Sequence, residues 1–420
     1  MRWVRPGEIG GRLRAPPSKS VILRAVAAAA LAEGPSSLVG PSTCDDALVA
    51  LGAARALGAR VEERAGEWRV HGGQREPAAE IACGESGLCL RAFACLAALG
   101  GRAVSLRAAG SLRRRPVGPL EAPLRALGAG CETQAGLPPV RVQGPLRGGR
   151  ARVDGAHTSQ ILTGLLLALP LCPEDSDLEV AGLRSAPYVR LTLEVMAAFG
   201  LVAQADCGLT RLRVPGGQRP RPARVEIEGD WSGAAFSLVL GALAGPVVVE
   251  GLRPDSAQAD RAVLVALDLA GARAAFRPDG ALSVAPAALR PFEFDARDCP
   301  DLFPPLAALA LGCPGLSRLR GVERLRHKES DRAAALIEEL GRLGGRLGLE
   351  GEELWIEGGR PLGEARVEPR GDHRIAMAAA VAAAAMGPGA GLADPGCVAK
   401  SYPGFFEDLA RLGAVVEEAP

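Results

Sequence analysis

Long apolar segments that open with polar residues recur along this chain of 420 residues. Each segment is apolar on nearly every side, and that pattern predicts a buried helix rather than a surface helix. The predicted buried helices span residues 20–31, 87–99, 159–169, 232–243, 302–311 and 373–386. The Ser, Thr and Asp residues at their starts are natural N-caps, so capping alone would explain any one of them.

A second helical pattern follows each buried helix and ends in Leu-Gly-Ala or a near relative. The terminating glycines are Gly58, Gly128, Gly200, Gly271, Gly344 and Gly413, which by subtraction lie 70, 72, 71, 73 and 69 residues apart. Glycine suits the left-handed residue just past a helix C-terminus. A strand–turn–strand pattern follows five of the six, and residues 2–4 could supply the strand that the sixth lacks. The sequence therefore predicts six repeats.

A segment rich in Pro, Gly and Arg, residues 216–224, separates the third and fourth repeats and is typical of a hinge. Three repeats on each side predict two similar α/β domains with a ligand-binding cleft between them. We expect residues 1–14 and 225–420 to form one domain, completed by the N-terminal strand. Residues 15–224 form the second, inserted domain.

The formal net charge is +1, from 49 basic and 48 acidic residues, so the chain has no global attraction for nucleic acid or anionic membranes. No apolar h-region opens the chain, and its longest apolar stretch, residues 375–386, is shorter than the roughly 20 residues of a membrane span. The ten cysteines show no C-x-x-C spacing. We expect a cytoplasmic protein, monomeric because the repeats bury their own core, with neither metal nor other cofactor.

Of the 49 basic residues only Lys19, Lys328 and Lys400 are lysines, and each lies in a polar motif. A lysine retained in so arginine-rich a chain indicates a place that needs a compact ammonium group. Most of the chain's other clustered cations also lie near starts of the buried helices. If those helices run parallel within each domain, their N-termini and these cations form an anion site. Asp301 and Glu329 lie among these cations. Asp301 can be explained as an N-cap and Glu329 as a first-turn helix charge, but among cations a carboxylate could instead serve as general base or acid.

Seven motifs carry a family resemblance. They are Pro17–Ser18–Lys19–Ser20 with Arg24, Arg115–Pro116, Thr158–Ser159–Gln160, Pro300–Asp301, Lys328–Glu329–Ser330–Asp331–Arg332, Asp372–His373–Arg374 and Cys397–Val398–Ala399–Lys400. In content and order they resemble the 5-enolpyruvylshikimate-3-phosphate synthases, a family of enolpyruvyl transferases, over essentially the whole chain. The resemblance implies two domains, each of three βαβαββ repeats with buried parallel helices, an inside-out α/β barrel.

The resemblance also implies transfer of the enolpyruvyl group of phosphoenolpyruvate to the 5-hydroxyl of shikimate 3-phosphate. It assigns shikimate 3-phosphate to Lys19, Ser20, Arg24, Thr158, Ser159, Gln160, Ser185, Tyr188, Asp301 and Lys328. It assigns phosphoenolpyruvate to Lys19, Gly87, Arg115, Gln160, Glu329, Arg332, Arg374 and Lys400. The implied catalytic residues are Lys19, Asp301 as proton acceptor for the attacking hydroxyl, and Glu329 for the proton at the methylene carbon.

Two positions depart from the family pattern. Glu85 stands where many members have Asn, so that it either turns away from phosphoenolpyruvate, is protonated, or pairs with an Arg. Arg324 stands where some members have Asn. Three alternatives remain open: a UDP-N-acetylglucosamine enolpyruvyl transferase, although the loop 111–115 lacks that family's Cys; a non-catalytic protein that binds RNA or another polyanion; and a family member that has lost activity.

Overall fold

The computed structural model describes residues 1–73, 77–156 and 158–418. The strands are β1 Arg2–Arg5, β2 Gly11–Arg14, β3 Gly34–Val39, β4 Arg60–Arg64, β5 Glu67–Gly72, β6 Glu80–Ala82, β7 Ala103–Arg107, β8 Gly130–Gln134, β9 Leu137–Gln143, β10 Gly149–Asp154, β11 Ser176–Ala181, β12 Gln204–Ala205, β13 Arg211–Val214, β14 Arg224–Glu226, β15 Val247–Glu250, β16 Arg273–Phe276, β17 Leu282–Ala285, β18 Glu293–Asp295, β19 Gly315–Arg320, β20 Arg346–Glu350, β21 Glu353–Gly358, β22 Ala365–Val367, β23 Ala390–Leu392 and β24 Val415–Glu418.

The helices are α1 Lys19–Leu31, α2 Asp45–Ala56, α3 Gly87–Ala97, α4 Glu121–Ala126, α5 Gln160–Ala168, α6 Ala186–Ala198, α7 Trp231–Leu243, α8 Val263–Leu269, α9 Phe303–Leu311, α10 Arg332–Arg342, α11 His373–Met386 and α12 Phe405–Arg411. Short 3-10 turns include Gly110–Arg114, Pro300–Leu302 and Pro395–Lys400. No helix in the described part of the chain is both long and apolar enough to span a membrane.

The chain divides into two compact units. Unit 1 comprises Met1–Pro16 and Glu228–Pro420, and unit 2 comprises Pro17–Ile227. The described residues form six four-stranded sheets. In unit 2 their strand orders are β14-β3-β5-β4, β6-β7-β9-β8 and β10-β11-β13-β12. In unit 1 they are β16-β17-β15-β2, β18-β19-β21-β20 and β22-β23-β1-β24.

All six sheets have the same topology. Each contains one parallel pair, such as β6 with β7, and two antiparallel pairs, such as β7 with β9 and β8 with β9. In the repeats that are continuous along the chain, such as β6–β9, strands and helices follow one another in the order βαβαββ. A parallel pair needs a crossover, and a helix provides it here. The predicted fold of six repeats in two similar sets of three is confirmed.

Three repeats are assembled from distant parts of the chain. Strand β2 pairs with β15, so that all of unit 2 is inserted before the helix of that repeat, α7. Strand β14 returns to pair with β3 at the start of unit 2. In the third such repeat, the N-terminal strand β1 pairs antiparallel with β23 and β24, which lie near the C-terminus.

The segment interpreted as a hinge, residues 216–224, lies within unit 2. The N–H groups of Gly217 and Gln218 donate to the carbonyl groups of Cys172 and Pro170 at 2.7 Å each. The chain continues from this segment into β14, which forms an edge of the first sheet, and unit 2 extends through Ile227. The predicted end of the inserted domain at residue 224 therefore falls inside a hydrogen-bonded strand.

The six predicted buried helices are confirmed as α1, α3, α5, α7, α9 and α11, each with bounds within two residues of the prediction. In unit 2, α3 packs against α5, and α1 contacts both. In unit 1, α7, α9 and α11 pack against one another in all three pairs. Their alanine and glycine content permits this close approach, because small side chains keep the helix backbones near each other.

Glycine at the end of a repeat lets the sheet approach the helix that it covers. A Cβ atom at Gly72 would lie 2.2 Å from the carbonyl oxygen of Ala29, near the end of α1. At the equivalent place in unit 1, a Cβ at Gly358 would lie 2.0 Å from the carbonyl oxygen of Ala310 in α9. Any side chain at these positions would push the last strand away from the helix.

Candidate active site

The predicted site residues form one group in each unit. In unit 2 the first members stand at the start of α1, where the Ser18 hydroxyl accepts a hydrogen bond from the Val21 N–H at 3.3 Å and caps the helix. Lys19 follows, and its Nζ lies 3.2 Å from a carboxylate oxygen of Asp46 in the first turn of α2. Sequence reasoning did not single out Asp46, because nothing in its neighbourhood shows that α2 packs beside α1.

Arg24 lies one turn beyond Ser20 on α1 and is only 2% exposed. Its guanidinium carbon lies 5.7 Å from the centre of the Tyr188 ring, a distance at which a cation is attracted to the ring face. Burial lowers the pKa of Arg24 to about 10. The structure thus brings Arg24, Ser20 and Tyr188 together.

Ser185 and Tyr188 occupy the start of α6. Ser185 is buried and has φ of +60°, the left-handed region, directly before the first helical residue. The carbonyl group of Tyr188 accepts a hydrogen bond from Arg24 Nη2 at 3.3 Å. The entry to α6 and the first turn of α1 are therefore joined through one arginine.

A second buried arginine organises the starts of α3 and α5. Arg91 Nη1 donates to the carbonyl group of Gly87 at 3.1 Å and to the side-chain oxygen of Gln160 at 2.8 Å. Its Nη2 donates to the carbonyl group of Pro116 at 2.6 Å. Burial, with a further contribution from nearby Arg115, lowers the pKa of Arg91 to about 9. The sequence signal for Arg91 was a single arginine inside an otherwise apolar helix.

Gly87 leaves room for arginines at the start of α3. A Cβ atom there would lie 2.7 Å from Arg91 Nη1 and 3.2 Å from Arg115 Nη2. The guanidinium of Arg115 therefore lies against the helix N-terminus, although the helix dipole there is also positive. Arg91 and Arg115 thus place two guanidinium groups at the start of α3, where the helix N-terminus also favours an anion.

The motif Thr158–Ser159–Gln160 opens α5. The Thr158 hydroxyl accepts a hydrogen bond from the Gln160 N–H at 3.2 Å. Ser159 occupies the N-cap position and is buried, but its hydroxyl caps no backbone N–H among the described residues. The motif thus closes the start of α5 with Thr158, beside the helix that carries Arg91.

Glu85, the departure from the family pattern, faces the turn that precedes Arg115. One of its carboxylate oxygens accepts hydrogen bonds from the hydroxyl of Ser111 at 2.7 Å and from the Ser111 N–H at 3.3 Å. The other oxygen would lie 1.8 Å from a Cβ atom at Gly110, whose φ is +46°. Only glycine therefore fits at position 110 beside this carboxylate. The second departure, Arg324, donates to the carbonyl group of Arg297 at 3.2 Å.

In unit 1 the predicted residues surround the carboxylate of Asp301. Lys328 Nζ lies 3.0 Å and Arg332 Nη1 2.8 Å from one of its oxygens, and Arg374 Nη2 lies 3.5 Å from the other. Asp301 stands in the 3-10 turn that leads into α9, while the three cations come from α10, α11 and the segment before α10. Cationic neighbours favour the ionised carboxylate, the form that can accept a proton.

Arg332 connects the other acidic groups. Its Nη2 donates to Glu329 at 2.6 Å and its Nε to Asp372 at 3.0 Å. Arg332 is 1% exposed, and although burial alone would lower its pKa, Asp372, Glu329 and Asp301 together raise it above its usual value. Asp372 also caps α11 by accepting from the Arg374 N–H at 3.0 Å.

Lys328 and Lys400 are the lysines of unit 1. Burial lowers the pKa of Lys328 to about 8, and the charge of Asp301 offsets part of that effect. Lys400 is buried at the end of the turn Pro395–Lys400, which packs against α11, the helix that carries Arg374. In the part of the chain that the structure describes, no cluster of three or more His, Cys, Asp or Glu side chains is arranged to hold a metal ion.

The repeats, with their helix starts lined by lysine, arginine and serine, place the chain in the class of enolpyruvyl transferases. The EPSP synthase (3-phosphoshikimate 1-carboxyvinyltransferase) family matches residues 4–409. The chain is 41% identical to the 3-phosphoshikimate 1-carboxyvinyltransferase of Aeropyrum pernix over 99% of this chain and 96% of that one. It is 40% identical to the corresponding Thermococcus kodakarensis protein, over 97% and 99% of the two chains. EPSP synthase from Acinetobacter baumannii superposes with a TM-score of 0.84 at 25% identity, covering 99% of each chain. The chain belongs to the EPSP synthase family.

Proposed function

We propose that this enzyme transfers the enolpyruvyl group of phosphoenolpyruvate to the 5-hydroxyl of shikimate 3-phosphate, giving 5-enolpyruvylshikimate 3-phosphate and inorganic phosphate. The reaction belongs to the shikimate pathway of aromatic amino-acid biosynthesis. The observation that carries the proposal is the Asp301 carboxylate, held within 3.5 Å of Lys328, Arg332 and Arg374. A carboxylate among cations suits a step in which a proton leaves a hydroxyl beside anionic groups.

Shikimate 3-phosphate is assigned to residues from both units. They are Lys19, Ser20, Arg24, Thr158, Ser159, Gln160, Ser185, Tyr188, Asp301 and Lys328. The geometry of unit 2 supports this assignment, because Arg24 is buried without a carboxylate among the charges that shift its pKa. A buried cation of this kind is stabilised when a ligand supplies the missing negative charge.

Phosphoenolpyruvate is assigned to a second set, Lys19, Gly87, Arg115, Gln160, Glu329, Arg332, Arg374 and Lys400. Arg115 at the start of α3 and Arg374 at the start of α11 each stand beside a helix N-terminus. A planar guanidinium beside free N–H groups suits a phosphate or carboxylate. We propose that the groups of the two units act on one pair of substrates.

Two carboxylates move the protons. Asp301 accepts the proton of the 5-hydroxyl as its oxygen bonds to C2 of phosphoenolpyruvate, and Glu329 gives a proton to the methylene carbon, C3. The product of this addition is a tetrahedral intermediate. In the second step Glu329 takes a proton back from C3, the double bond re-forms, and the bond between C2 and the phosphate oxygen breaks. The departing phosphate takes up the proton that the 5-hydroxyl gave to Asp301, which restores both carboxyl groups to their starting states. The cations, Lys19 among them, offset the repulsion between the anionic substrates and hold them in register.

The proposal is tested by incubating the purified protein with phosphoenolpyruvate and shikimate 3-phosphate and measuring inorganic phosphate. A parallel reaction replaces shikimate 3-phosphate with UDP-N-acetylglucosamine. The variants Asp301→Ala in unit 1 and Lys19→Ala in unit 2 serve as controls for the site. We expect phosphate only with shikimate 3-phosphate, and its loss in both variants. Release with the nucleotide sugar instead, or with neither acceptor, would reject the proposal.

We further propose that the enzyme acts in the cytoplasm as a monomer. Each unit buries its own three central helices, which are close to fully covered. Sedimentation of the active protein over a range of concentrations tests the oligomeric state, and a mass of twice 43.2 kDa would contradict it.

A further inference from the structure

Arg24 is held in place by hydroxyl and carbonyl oxygens, and by no carboxylate in the part of the chain that the structure describes. Its Nε donates to the hydroxyl of Thr192 at 2.9 Å, and its Nη2 donates to the hydroxyl of Thr163 at 3.2 Å. Carbonyl groups of Ser20, at 2.8 Å, and Tyr188, at 3.3 Å, accept from Nη1 and Nη2. Both threonines are fully buried, on α5 and α6.

The hydrogen bonds between the two threonines have a single consistent direction. Thr192 donates its only hydroxyl hydrogen to the carbonyl group of Tyr188 at 2.9 Å. The hydroxyls of Thr163 and Thr192 are 3.0 Å apart, so Thr163 must be the donor in that contact. Both hydroxyl oxygens are then left to accept from Arg24. The network uses each hydroxyl hydrogen once and fixes the plane of the guanidinium.

This support differs from that of the buried arginine in unit 1. Arg332 is contacted by the carboxylates of Asp301, Glu329 and Asp372, which cancel its charge and raise its pKa. Arg24 is oriented by neutral oxygens, and burial lowers its pKa to about 10. A buried charge without a counter-ion costs stability unless a ligand completes it. The hydroxyls orient Arg24 and leave its positive charge for that ligand.

One hydrogen of Nη1 has no acceptor among the described residues, since Ser20 takes the other. Nη1 bonds to the carbonyl group of Ser20, which directly follows Lys19 in the first turn of α1. We propose that Thr163 and Thr192 are positioning residues that orient the Arg24 guanidinium for the anionic acceptor substrate without neutralising it. The inference rests on the proposed function, which assigns shikimate 3-phosphate to Arg24. Neither threonine belongs to the predicted substrate-binding set.

The test replaces each hydroxyl with a methyl group of the same size, in Thr163→Val and Thr192→Val, and restores it in Thr163→Ser and Thr192→Ser. We expect each Val variant to raise the KM for shikimate 3-phosphate on the order of tenfold, because hydrogen bonds to charged groups are stronger than neutral ones. The KM for phosphoenolpyruvate should change by less than about threefold, and the Ser variants should recover most of the affinity. Calorimetric titration with shikimate 3-phosphate alone measures the same loss without turnover.

Ser176→Ala is the matched control in the same unit. Ser176 is buried on β11, and its hydroxyl has no hydrogen-bond partner among the described residues. Ser176→Ala deletes a buried hydroxyl that makes no contact with Arg24, so the KM values for shikimate 3-phosphate and phosphoenolpyruvate should both stay unchanged. If the Val variants do not fold, Thr163→Ala and Thr192→Ala carry the same prediction, because they add no methyl group against the guanidinium.

The outcomes separate this inference from the proposed function. A wild-type protein that releases no phosphate from the two substrates would reject the proposed function itself. A wild-type protein that turns over, with folded Val or Ala variants that keep the wild-type KM for shikimate 3-phosphate, would overturn the positioning role alone. An equal rise in both KM values would also overturn it, since that result indicates a general distortion of unit 2.

Discussion

The carboxylate of Glu85 and the hydroxyl of Ser111 are joined at 2.7 Å, and the Ser111 N–H donates to the same oxygen at 3.3 Å. This pair ties the loop before α3 to the 3-10 turn Gly110–Arg114, which leads directly into Arg115. The acid that departs from the family pattern therefore holds the approach to an arginine that we assign to phosphoenolpyruvate. We call the two hydrogen bonds from Ser111 to the Glu85 carboxylate the clamp.

The clamp predicts a specific loss when Glu85 is replaced. In Glu85→Ala the turn loses both hydrogen bonds, so we expect the KM for phosphoenolpyruvate to rise on the order of tenfold. In Glu85→Gln the amide oxygen can still accept from Ser111, and the rise should stay below about threefold. Steady-state kinetics with each substrate varied in turn measures the effect, and the KM for shikimate 3-phosphate should change little.

Glu80→Ala is the control for this experiment. Glu80 lies on β6, five residues before Glu85, and its half-exposed side chain pairs with Arg107 away from the clamp. This variant should behave as the wild type. A Glu85→Ala protein with an unchanged KM for phosphoenolpyruvate would show that the clamp does not position Arg115.

The half-buried position of Lys328 predicts that activity depends on pH. Its pKa of about 8 lies below the ordinary value for lysine, so the ammonium loses its proton at a lower pH than an exposed lysine would. Below that pH it is charged and can hold the anionic substrate; above it the charge is lost. We expect kcat/KM for shikimate 3-phosphate to fall as pH rises through about 8, a profile that initial rates in overlapping buffers measure.

Lys328→Arg identifies the group responsible, because arginine keeps its charge throughout this range. Whatever its maximal rate, this variant should lose the decline near pH 8 or show it at a higher pH. Arg346→Lys, which alters an exposed ion pair with Glu357 in the same unit, should keep the wild-type profile. A decline that persists unchanged in Lys328→Arg would assign it to another group.

The repeats could be predicted from the sequence because one pattern recurs along the chain. Helices that end in glycine, such as those before Gly58 and Gly344, return at a nearly constant spacing, and the structure has a repeat for each. The pairing of β14 with β3 could not be predicted from the sequence. It joins segments nearly two hundred residues apart through backbone hydrogen bonds, and these leave no signature in the side chains.

Site residues that lie in sequence motifs could be predicted from the sequence. Residues that only helix packing brings to the site could not be predicted. The chain motifs singled out Lys19 and Arg24, whose assignment to substrates stays a prediction. Their partners Asp46, Thr163 and Thr192 lie on other helices and come within hydrogen-bonding or ion-pair distance only through helix packing. A single threonine inside an apolar helix is indistinguishable from a core residue until its neighbours are known.

Neighbouring glutamates on α10 predict a contrast in stability. Glu338 and Glu339 both pair with Arg342 and Arg370, but Glu339 is fully buried while the Glu338 side chain is 45% exposed. Glu339 also accepts from the N–H of Glu368 at 2.9 Å. Glu339→Ala removes a buried acceptor from three donors, so we expect the free energy of unfolding to fall by about 3 kcal/mol.

Denaturant unfolding followed by circular dichroism measures this effect, with Glu338→Ala as the control. That variant removes ion pairs with the same two arginines at the surface, where water and salt screen them, so its unfolding midpoint should match the wild type. Equal midpoints for the two variants would mean that the buried hydrogen bond to Glu368 contributes nothing.

Two buried serines at helix starts in unit 2 predict opposite phenotypes. The Ser86 hydroxyl accepts from the Cys89 N–H at 3.4 Å and caps α3, so Ser86→Ala should lower the free energy of unfolding by about 1 kcal/mol. Ser159 stands at the same place on α5, but its hydroxyl caps no N–H in the described ranges. Ser159→Ala should therefore leave the unfolding midpoint unchanged and instead raise the KM for shikimate 3-phosphate on the order of tenfold.

Unfolding curves and substrate titrations on both variants decide between the two roles, helix capping and substrate binding. If Ser159→Ala unfolds early and binds substrate normally, the serine is a structural cap, and its assignment to shikimate 3-phosphate is wrong.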